Sequence, residues 1–329
     1  MEIKEVIGID VSKRTLDCCI HGNGLQEIFE NTPKGIDKLI AWGFENMNCK
    51  RKNVLFIFEH TGLYSNQLTK ILPQKGYLIH IVSGLEIKRS LGITRGKDDK
   101  TDAKRIALYG YRIREEVKPY QIPNQYLLQL KRLMSLRKKL IVHRGSYLAC
   151  LNEQMQILED EKVLFKVQQE MIKVFDKQVL KIEKEIDRIV NSDGDLKSMQ
   201  QLLIEIKGIG KVTARFLIVS TSGFIAFPTW RKYASYCGIA PFPHLSGTSV
   251  RGKTKVSHIA NKEVKVLLHL CALSAIRYNP EMRAYYDRRL EIGKSKMSTL
   301  NIIRNKLLAR AFAVAKRGTP YIDTMKYTS

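Results

Sequence analysis

Short apolar runs alternate with helically spaced apolar residues along the first 110 positions of the chain. Apolar runs of four to eight residues between turn-forming residues predict buried β-strands. Five strands are predicted, over Val6–Asp10, Thr15–Ile20, Leu25–Glu30, Asn53–Phe58 and Tyr77–Val82. Helices are predicted between the later strands. One opens at Thr32-Pro33, since proline is tolerated in a first helical turn, and another opens at Tyr64.

The order of these elements predicts an α/β domain. Three meandering strands followed by alternating helices and strands is the order expected of an RNase H-like fold. An actin-like or a doubly wound nucleotide-binding domain is compatible with the same order. An actin-like ATPase needs further glycine-rich phosphate loops, and Glu59–Gly62 is only a faint match to one. We therefore favour the RNase H-like interpretation.

Residues 126–190 have a different pattern, which predicts long helices forming a hairpin. One amphipathic helix is marked by Leu127, Leu130, Leu133, Met134, Leu140 and Ile141. A second carries apolar residues at spacings of four, three, four and three, at Phe175, Val179, Ile182, Ile186 and Ile189. This is an a/d seam, and it suits a dimerising coiled coil and a plain helical bundle equally well. The breaker cluster 191–194 ends the region.

The remainder is predicted to be mainly helical, with a proline- and glycine-rich loop at 237–252. The chain thus divides into a catalytic α/β domain at 1–120, a helical coiled-coil linker or dimerisation region at 121–195, and a basic C-terminal domain at 196–329.

Charge is concentrated in the last of these regions. Lys and Arg number 56 against 32 Asp and Glu, a net charge of +24, of which residues 206–329 contribute +17. So basic a folded segment favours nucleic acid, since neutralising phosphates releases counterions, although a merely cationic surface is the alternative. The sequence shows no apolar stretch of membrane-spanning length, and its six cysteines have no CxxC pairing. We expect a cytoplasmic protein without membrane partners.

Four acidic residues are candidates for a metal-dependent active site. Asp10 and Glu59 each follow a buried strand, which predicts that both lie at one edge of a parallel pair. Asp99 and Asp102 precede an apolar helix, and their spacing of three places them on one helical face. Such carboxylates could hold two Mg²⁺ ions for phosphoryl transfer; helix and turn capping is the alternative role for each. Asp98 could take the place of Asp99, whereas Asp17 lies in a predicted strand and has no comparable position.

Two basic segments are candidates for nucleic-acid contact. Residues 206–215 form an apolar–Gly–apolar–Gly turn opening a helix, like a helix-hairpin-helix motif, although a simple Gly-capped turn is the alternative. Its expected contact residues are Lys207, Gly208, Gly210 and Lys211. The 237–252 loop and its flank present Ser246 among the cations Arg251, Lys253 and Lys255. A serine needs a base or electrophilic help to attack phosphate, and from the residues alone a linker role for Ser246 stays open.

These segments together resemble the DEDD-type insertion-sequence transposases of the one-ten family, to which the pilin-gene DNA invertases are similar. The resemblance is carried by Gly8–Lys13, Phe58–Gly62, Lys97–Ala103 and the Gly238–Pro241 segment followed by Ser246-Gly247. It implies a RuvC-like N-terminal domain, a coiled coil and a C-terminal transposase domain. It also implies that Asp10, Glu59, Asp99 and Asp102 bind metal and that Ser246 is the recombination nucleophile, with Ser249 three residues away.

The resemblance further implies the partners. Members of the family use a structured guide RNA, encoded beside the transposase gene, that pairs with donor and target double-stranded DNA. They assemble as homo-oligomers, dimers or tetramers, in which the RuvC-like domain of one subunit meets the serine domain of another. Two other functions remain open: a RuvC-like junction resolvase using metal-activated water, and a non-catalytic nucleic-acid-binding scaffold.

Overall fold

A computed structural model describes residues 2–90, 99–120, 124–246 and 250–322 of the chain; for residues 99, 100, 243–246 and 250–253 it describes the backbone alone. The chain forms two compact units, Met1–Ile122 and Pro123–Ser329. The further division of the second unit at residue 195 stays a prediction. No helix in the described ranges is both long and apolar enough to cross a membrane.

The first unit is built on a five-stranded mixed sheet in the order β3-β2-β1-β4-β5. Its strands are β1 (Glu5–Val11), β2 (Thr15–Ile20), β3 (Gln26–Glu30), β4 (Val54–Glu59) and β5 (Leu78–Val82). β2 pairs antiparallel with both β1 and β3, whereas β4 pairs parallel with both β1 and β5. The predicted mixed α/β fold of this unit is therefore confirmed, with strand ends within two residues of the prediction.

Helices cover both faces of this sheet. They are α1 (Pro33–Glu45), α2 (Asn66–Gln74), α3 (Gly84–Ser90) and α4 (Asp99–Ile113). The side chain of Thr32 caps α1 by accepting a hydrogen bond from the Gly35 N–H, and Pro33 occupies the first turn as predicted. Buried residues of α1 and α2 pack on one face of β1 and β4, and Ile106 of α4 packs on the other. This burial on both faces explains why β4 is apolar from Val54 to Phe58.

Gly8 sets how closely α4 approaches β1. A Cβ built on Gly8 would lie 2.3 Å from the backbone nitrogen of Ala107 and 2.5 Å from the carbonyl oxygen of Ala103. Backbone atoms cannot yield as a flexible side chain can, so only glycine permits this contact. The close approach brings the first turn of α4 to the end of β1 that carries Asp10.

The second unit is mostly helical, as predicted, and opens with a helical hairpin. α5 (Gln125–Ile157) and α6 (Lys162–Ser192) lie side by side within one chain. Phe175 packs between His143 and Tyr147 of α5, and Arg144 donates a 2.5 Å hydrogen bond to Asp176. Ile182, Ile186 and Ile189 of the predicted seam are buried with Leu127 and Leu130 in the core of the same unit. The hairpin is thus confirmed; the coiled coil as a contact between subunits stays a prediction.

The rest of this unit surrounds the same core. Its helices are α7 (Gly194–Ile204), α8 (Lys211–Ser220), α9 (Trp230–Tyr236), α10 (Lys262–Tyr278), α11 (Pro280–Glu291) and α12 (Lys296–Arg317). Tyr233 of α9 is fully buried at its centre, and burial raises the pKa of its phenol well above the ordinary value.

The interpretation of residues 237–252 as a loop was wrong in part. A two-stranded antiparallel ribbon, β6 (Pro241–Ser246) and β7 (Val250–Val256), occupies most of it, with a register irregularity between Phe242 and His244. Prolines lack an N–H donor and are excluded from central strands, but both strands of an isolated ribbon are edges and tolerate them. Counting prolines and glycines as breakers therefore missed the strands.

Candidate active site

Asp10 and Glu59 lie side by side on the two central parallel strands. The parallel register pairs Ile9 of β1 with Phe58 of β4, so the next residues on each strand are Asp10 and Glu59. Residues paired in register project to the same face of a sheet. Both are half-buried. The prediction that these two carboxylates share one edge of a parallel pair is confirmed.

The carboxylate of Glu59 lies against the first residue of α3. A Cβ built on Gly84 would lie 2.3 Å from Oε1 and 2.7 Å from Cδ of Glu59. The strand ends beside it are tied together, because the His60 N–H donates to the Val82 carbonyl oxygen at 3.0 Å. The absence of a side chain at Gly84 thus provides the space that the Glu59 carboxylate occupies.

We expect Gly84→Ala to impair catalysis more than folding. The added methyl group would displace only the end of a flexible side chain, which can rotate away, so the thermal midpoint should change by a few degrees at most. The displaced carboxylate would leave its position, and a misplacement of about 1 Å can lower a rate by about a hundredfold. Strand-cleavage rate and differential scanning fluorimetry measure the two effects. Wild-type cleavage by a folded Gly84→Ala protein would contradict the assignment of Glu59 to the site.

Asp102 lies in the first turn of α4, on the helix that packs against Gly8 of β1. Its Oδ1 accepts a 3.0 Å hydrogen bond from Arg105, one turn further along the helix. Asp99 is the first residue of α4. Its side chain lies outside the described part of the structure, and Asp98 lies outside the described residues altogether. The predicted positions of both acids on one helix are confirmed for the backbone.

The donor set suits a hard divalent cation such as Mg²⁺, which prefers carboxylate oxygens. Asp10 and Glu59 sit on neighbouring strands, and the absence of a side chain at Gly84 leaves room for the Glu59 carboxylate. Among the side chains that the structure describes, no three acidic, imidazole or thiol groups are gathered into a metal site. The described partner of Asp102 is Arg105, so the acid on α4 would exchange this ion pair for a metal contact.

Asp17 lies beside the predicted acids, although its sequence position does not predict this. The antiparallel register of β1 and β2 places it directly opposite Asp10. Its Oδ2 accepts a 3.5 Å hydrogen bond from the Thr15 hydroxyl. The short turn Ser12–Thr15, closed by a 3.0 Å hydrogen bond from the Ser12 N–H to the Thr15 carbonyl, fixes this register. Counting pairs outward from that turn would have found it.

Ser246 occupies the last position of β6, paired with Val250 at the start of β7. It therefore stands at the far end of the ribbon from the helical core. The side chains of Arg251 and Lys253, and Ser249 as a whole, lie outside the described part of the structure. Lys255 is exposed on β7, in register with the exposed Phe242. The structure thus places the predicted serine and its cations on one ribbon.

The predicted helix-hairpin-helix segment consists of α7, a tight turn and α8. Ile206 and Ile209 are buried, and Gly208 has a φ of +106°, where a built Cβ would lie 2.8 Å from the Cβ of Ala275 of α10. Gly210 caps α8, and a Cβ there would meet nothing within 4 Å. The open backbone at the start of α8 has N–H groups that can donate to a phosphate, with Lys207 and Lys211 exposed on either side.

Two family models match the regions that hold these sites. Residues 7–160 match the DEDD transposase model of IS110 elements, and residues 200–287 match the model described as "Transposase IS116/IS110/IS902 family". The first range contains the four candidate acids, and the second contains Ser246 and the Gly208–Gly210 turn.

Two relatives match nearly the whole chain, and a third matches part of it. The pilin gene-inverting proteins of Moraxella bovis and Moraxella lacunata are each 27% identical over 328 residues, covering 97% of this chain and 98% of the relative. The insertion element IS110 uncharacterized 43.6 kDa protein of Streptomyces coelicolor is 30% identical over 136 residues, which cover 41% of this chain and 33% of that protein.

Proposed function

Because the chain belongs to the IS110 family of transposases and is a DNA recombination enzyme, we propose that it excises and integrates its insertion element by serine-based strand exchange. In this proposal the first unit is an RNase H-like (RuvC-like) domain that holds two Mg²⁺ ions through Asp10, Glu59, Asp99 and Asp102. Ser246 of the C-terminal region is the nucleophile.

The observation that carries the proposal is the placement of Asp10 and Glu59 on adjacent parallel strands, next to the helix that begins with Asp99 and Asp102. Carboxylates from two strand ends and one helix terminus would together hold a divalent metal suited to phosphoryl transfer. A bound ion would supply Lewis-acid stabilisation of charge on the phosphate oxygens.

The serine step is a phosphoryl transfer. The Ser246 Oγ attacks the scissile phosphorus, a new P–O bond to serine forms, and the bond to the leaving sugar oxygen breaks. The serine proton is lost to a base or solvent, and the leaving oxygen is protonated. The resulting phosphoserine link keeps the energy of the broken phosphodiester until a second DNA strand attacks and releases the serine.

One experiment separates this function from its two alternatives. The full-length protein is incubated with a DNA junction formed from the ends of its element, Mg²⁺ and the flanking transcript, and the products are denatured and analysed for protein–DNA adducts. A covalent adduct supports the serine recombinase. Free cut ends without adduct indicate a resolvase that uses activated water, and binding without cleavage indicates a scaffold.

The proposed partners are donor and target double-stranded DNA and a structured RNA encoded beside the gene, with assembly as a dimer or tetramer. The net charge of +17 over residues 206–329 supports a nucleic-acid partner for the second unit. The open turn at Gly210 and the cations Lys207, Lys211, Arg251, Lys253 and Lys255 are the proposed contacts. We place its action in the prokaryotic cytoplasm, at the nucleoid.

Binding should weaken steeply with salt. If six to ten phosphates are neutralised, affinity should fall by about a thousandfold or more between 50 and 200 mM salt. Lys211→Ala should reduce the slope of log affinity against log salt by about one, as loss of one phosphate contact requires. Lys197→Ala, a charge-matched change on α7, is the control. Fluorescence anisotropy with labelled element ends measures both, and an unchanged slope in Lys211→Ala would remove this lysine from the interface.

A further inference from the structure

Two asparagines of α12 donate hydrogen bonds to the segment that leads into the β6–β7 ribbon. The Ile239 carbonyl oxygen accepts hydrogen bonds from Asn301 Nδ2 at 2.9 Å and from Asn305 Nδ2 at 3.1 Å. Ile239 is fully buried and lies two residues before β6 begins. Both lone pairs of one carbonyl are therefore used to attach the ribbon to a helix of the core.

The amide of Asn301 is itself oriented by a buried arginine. Arg304 is 5% exposed, and its guanidinium contacts His269 Nδ1 at 2.6 Å and Asn301 Oδ1 at 3.5 Å. An arginine can only donate, so it faces the oxygen of the Asn301 amide and turns the Nδ2 group towards Ile239. Burial and then the charge of Arg304 lower the pKa of His269, which keeps the imidazole neutral and its Nδ1 able to accept.

The segment between β7 and α10 is also held in place by hydrogen bonds. The Asn261 N–H donates to the Tyr236 carbonyl oxygen at 2.9 Å, and Asn261 Nδ2 donates to the Tyr236 hydroxyl at 3.0 Å. Gly238 has a φ of +64°, and a Cβ there would lie 2.4 Å from the Cβ of Ala260. The entering and leaving segments are thus pressed together at the base, where both are tied to helices.

The distance between this base and the serine makes its rigidity important. Ser246 is seven residues beyond Ile239, which corresponds to about 23 Å of extended strand, so a tilt of about 5° at the base would displace the serine by about 2 Å. Attack on phosphorus requires the nucleophile within about 3–3.5 Å of it, and an error of about 1 Å can lower a rate by about a hundredfold.

We propose that Asn301 and Asn305 are positioning residues for the recombination step, which fix the direction of the β6–β7 ribbon and thereby place Ser246 at the scissile phosphate. The inference rests on the proposed function, since it requires Ser246 to be the nucleophile. It assigns no chemical step to either asparagine. Because both donate to one carbonyl, either one alone retains half of the attachment.

The test compares adduct formation by single and double variants of the full-length protein on the element-end DNA junction. Each of Asn301→Ala and Asn305→Ala should slow adduct formation at saturating DNA by about threefold, and the double variant should slow it by about a hundredfold. The DNA dissociation constant should stay within twofold of wild type. Asn279→Ala is the matched control: it removes an asparagine cap from α11 in the same unit, where the side chain accepts from the Met282 N–H.

A merely structural role predicts that the double variant and Asn279→Ala lose activity in proportion to their loss of thermal stability. A positioning role predicts that Asn279→Ala, at an equal loss of stability, forms adduct at the wild-type rate. Equal adduct rates in the double variant and the control would overturn the proposal. Ser246→Ala is measured in the same assay. If Ser246→Ala still forms adduct, the proposed nucleophile is wrong and the positioning role is wrong with it. If Ser246→Ala forms no adduct and the double variant forms adduct at the wild-type rate, only the positioning role is overturned.

Discussion

Neutralising a single carboxylate of the proposed metal site should abolish strand cleavage. Asp10→Asn, Glu59→Gln and Asp102→Asn each keep the shape of the side chain but remove a charged metal ligand. Loss of metal stabilisation of about 4 kcal/mol corresponds to about a thousandfold lower cleavage rate. Binding of DNA and RNA should stay close to wild type, because these acids are metal ligands in this proposal and make no phosphate contact.

The measurement is a single-turnover cleavage assay in Mg²⁺, paired with an affinity measurement on the same DNA. Asp98→Asn is the matched control, since it changes the same type of charge one residue away from Asp99 and should have a mild effect. Activity within a few-fold of wild type in Asp10→Asn, Glu59→Gln or Asp102→Asn would remove that residue from the site. A severe effect in Asp98→Asn would move the assignment by one residue.

The placement of Asp10 and Glu59 at one edge of the sheet could be predicted from the sequence, because each local signal there is strong. The run at 55–58 is continuously apolar, so Glu59 had to mark the end of a buried strand, and the Thr32-Pro33 pair fixed the start of α1. The parallel pairing of β1 and β4 then brings Asp10 and Glu59 together without further information. Periodicity and turn chemistry were sufficient for this part of the fold.

Other features depend on contacts that are distant in sequence. No local pattern marks Asn301 and Asn305 as partners of Ile239, which lies more than 60 residues earlier. Nor does any local pattern show that the Glu59 carboxylate packs against Gly84. The ribbon at 241–256 was missed for a related reason, because an isolated pair of strands tolerates residues that a larger sheet rejects. The seam on α6 was recognised, but its main partner in the described structure is α5 of the same chain, and periodicity cannot tell such a partner from a second copy.

Replacing the serine should remove the covalent intermediate entirely. Ser246→Ala takes away the only atom that can form the phosphoserine bond in this proposal, so adduct should fall below detection while DNA binding and assembly persist. Ser249→Ala is the matched control, because it deletes the same hydroxyl three residues away and should cost much less. Denaturing electrophoresis of labelled DNA detects the adduct, and size-exclusion chromatography with light scattering reports assembly. Adduct retained by Ser246→Ala and lost by Ser249→Ala would transfer the nucleophile to Ser249.

Mixing defective subunits should show whether the active site is shared between chains. If the acids of one subunit act with the serine of another, an assembly of Ser246→Ala and Asp10→Asn subunits contains some composite sites in which both parts are intact. Such co-purified assemblies should recover strand transfer to roughly half of wild type, whereas each variant alone should stay inactive, since a dimer with one subunit of each kind has one complete site of two when each site draws one part from each chain. The two subunits carry different affinity tags, and sequential purification proves that they have co-assembled. If the co-assembled mixture stays inactive, the acids and the serine of each active site come from the same chain.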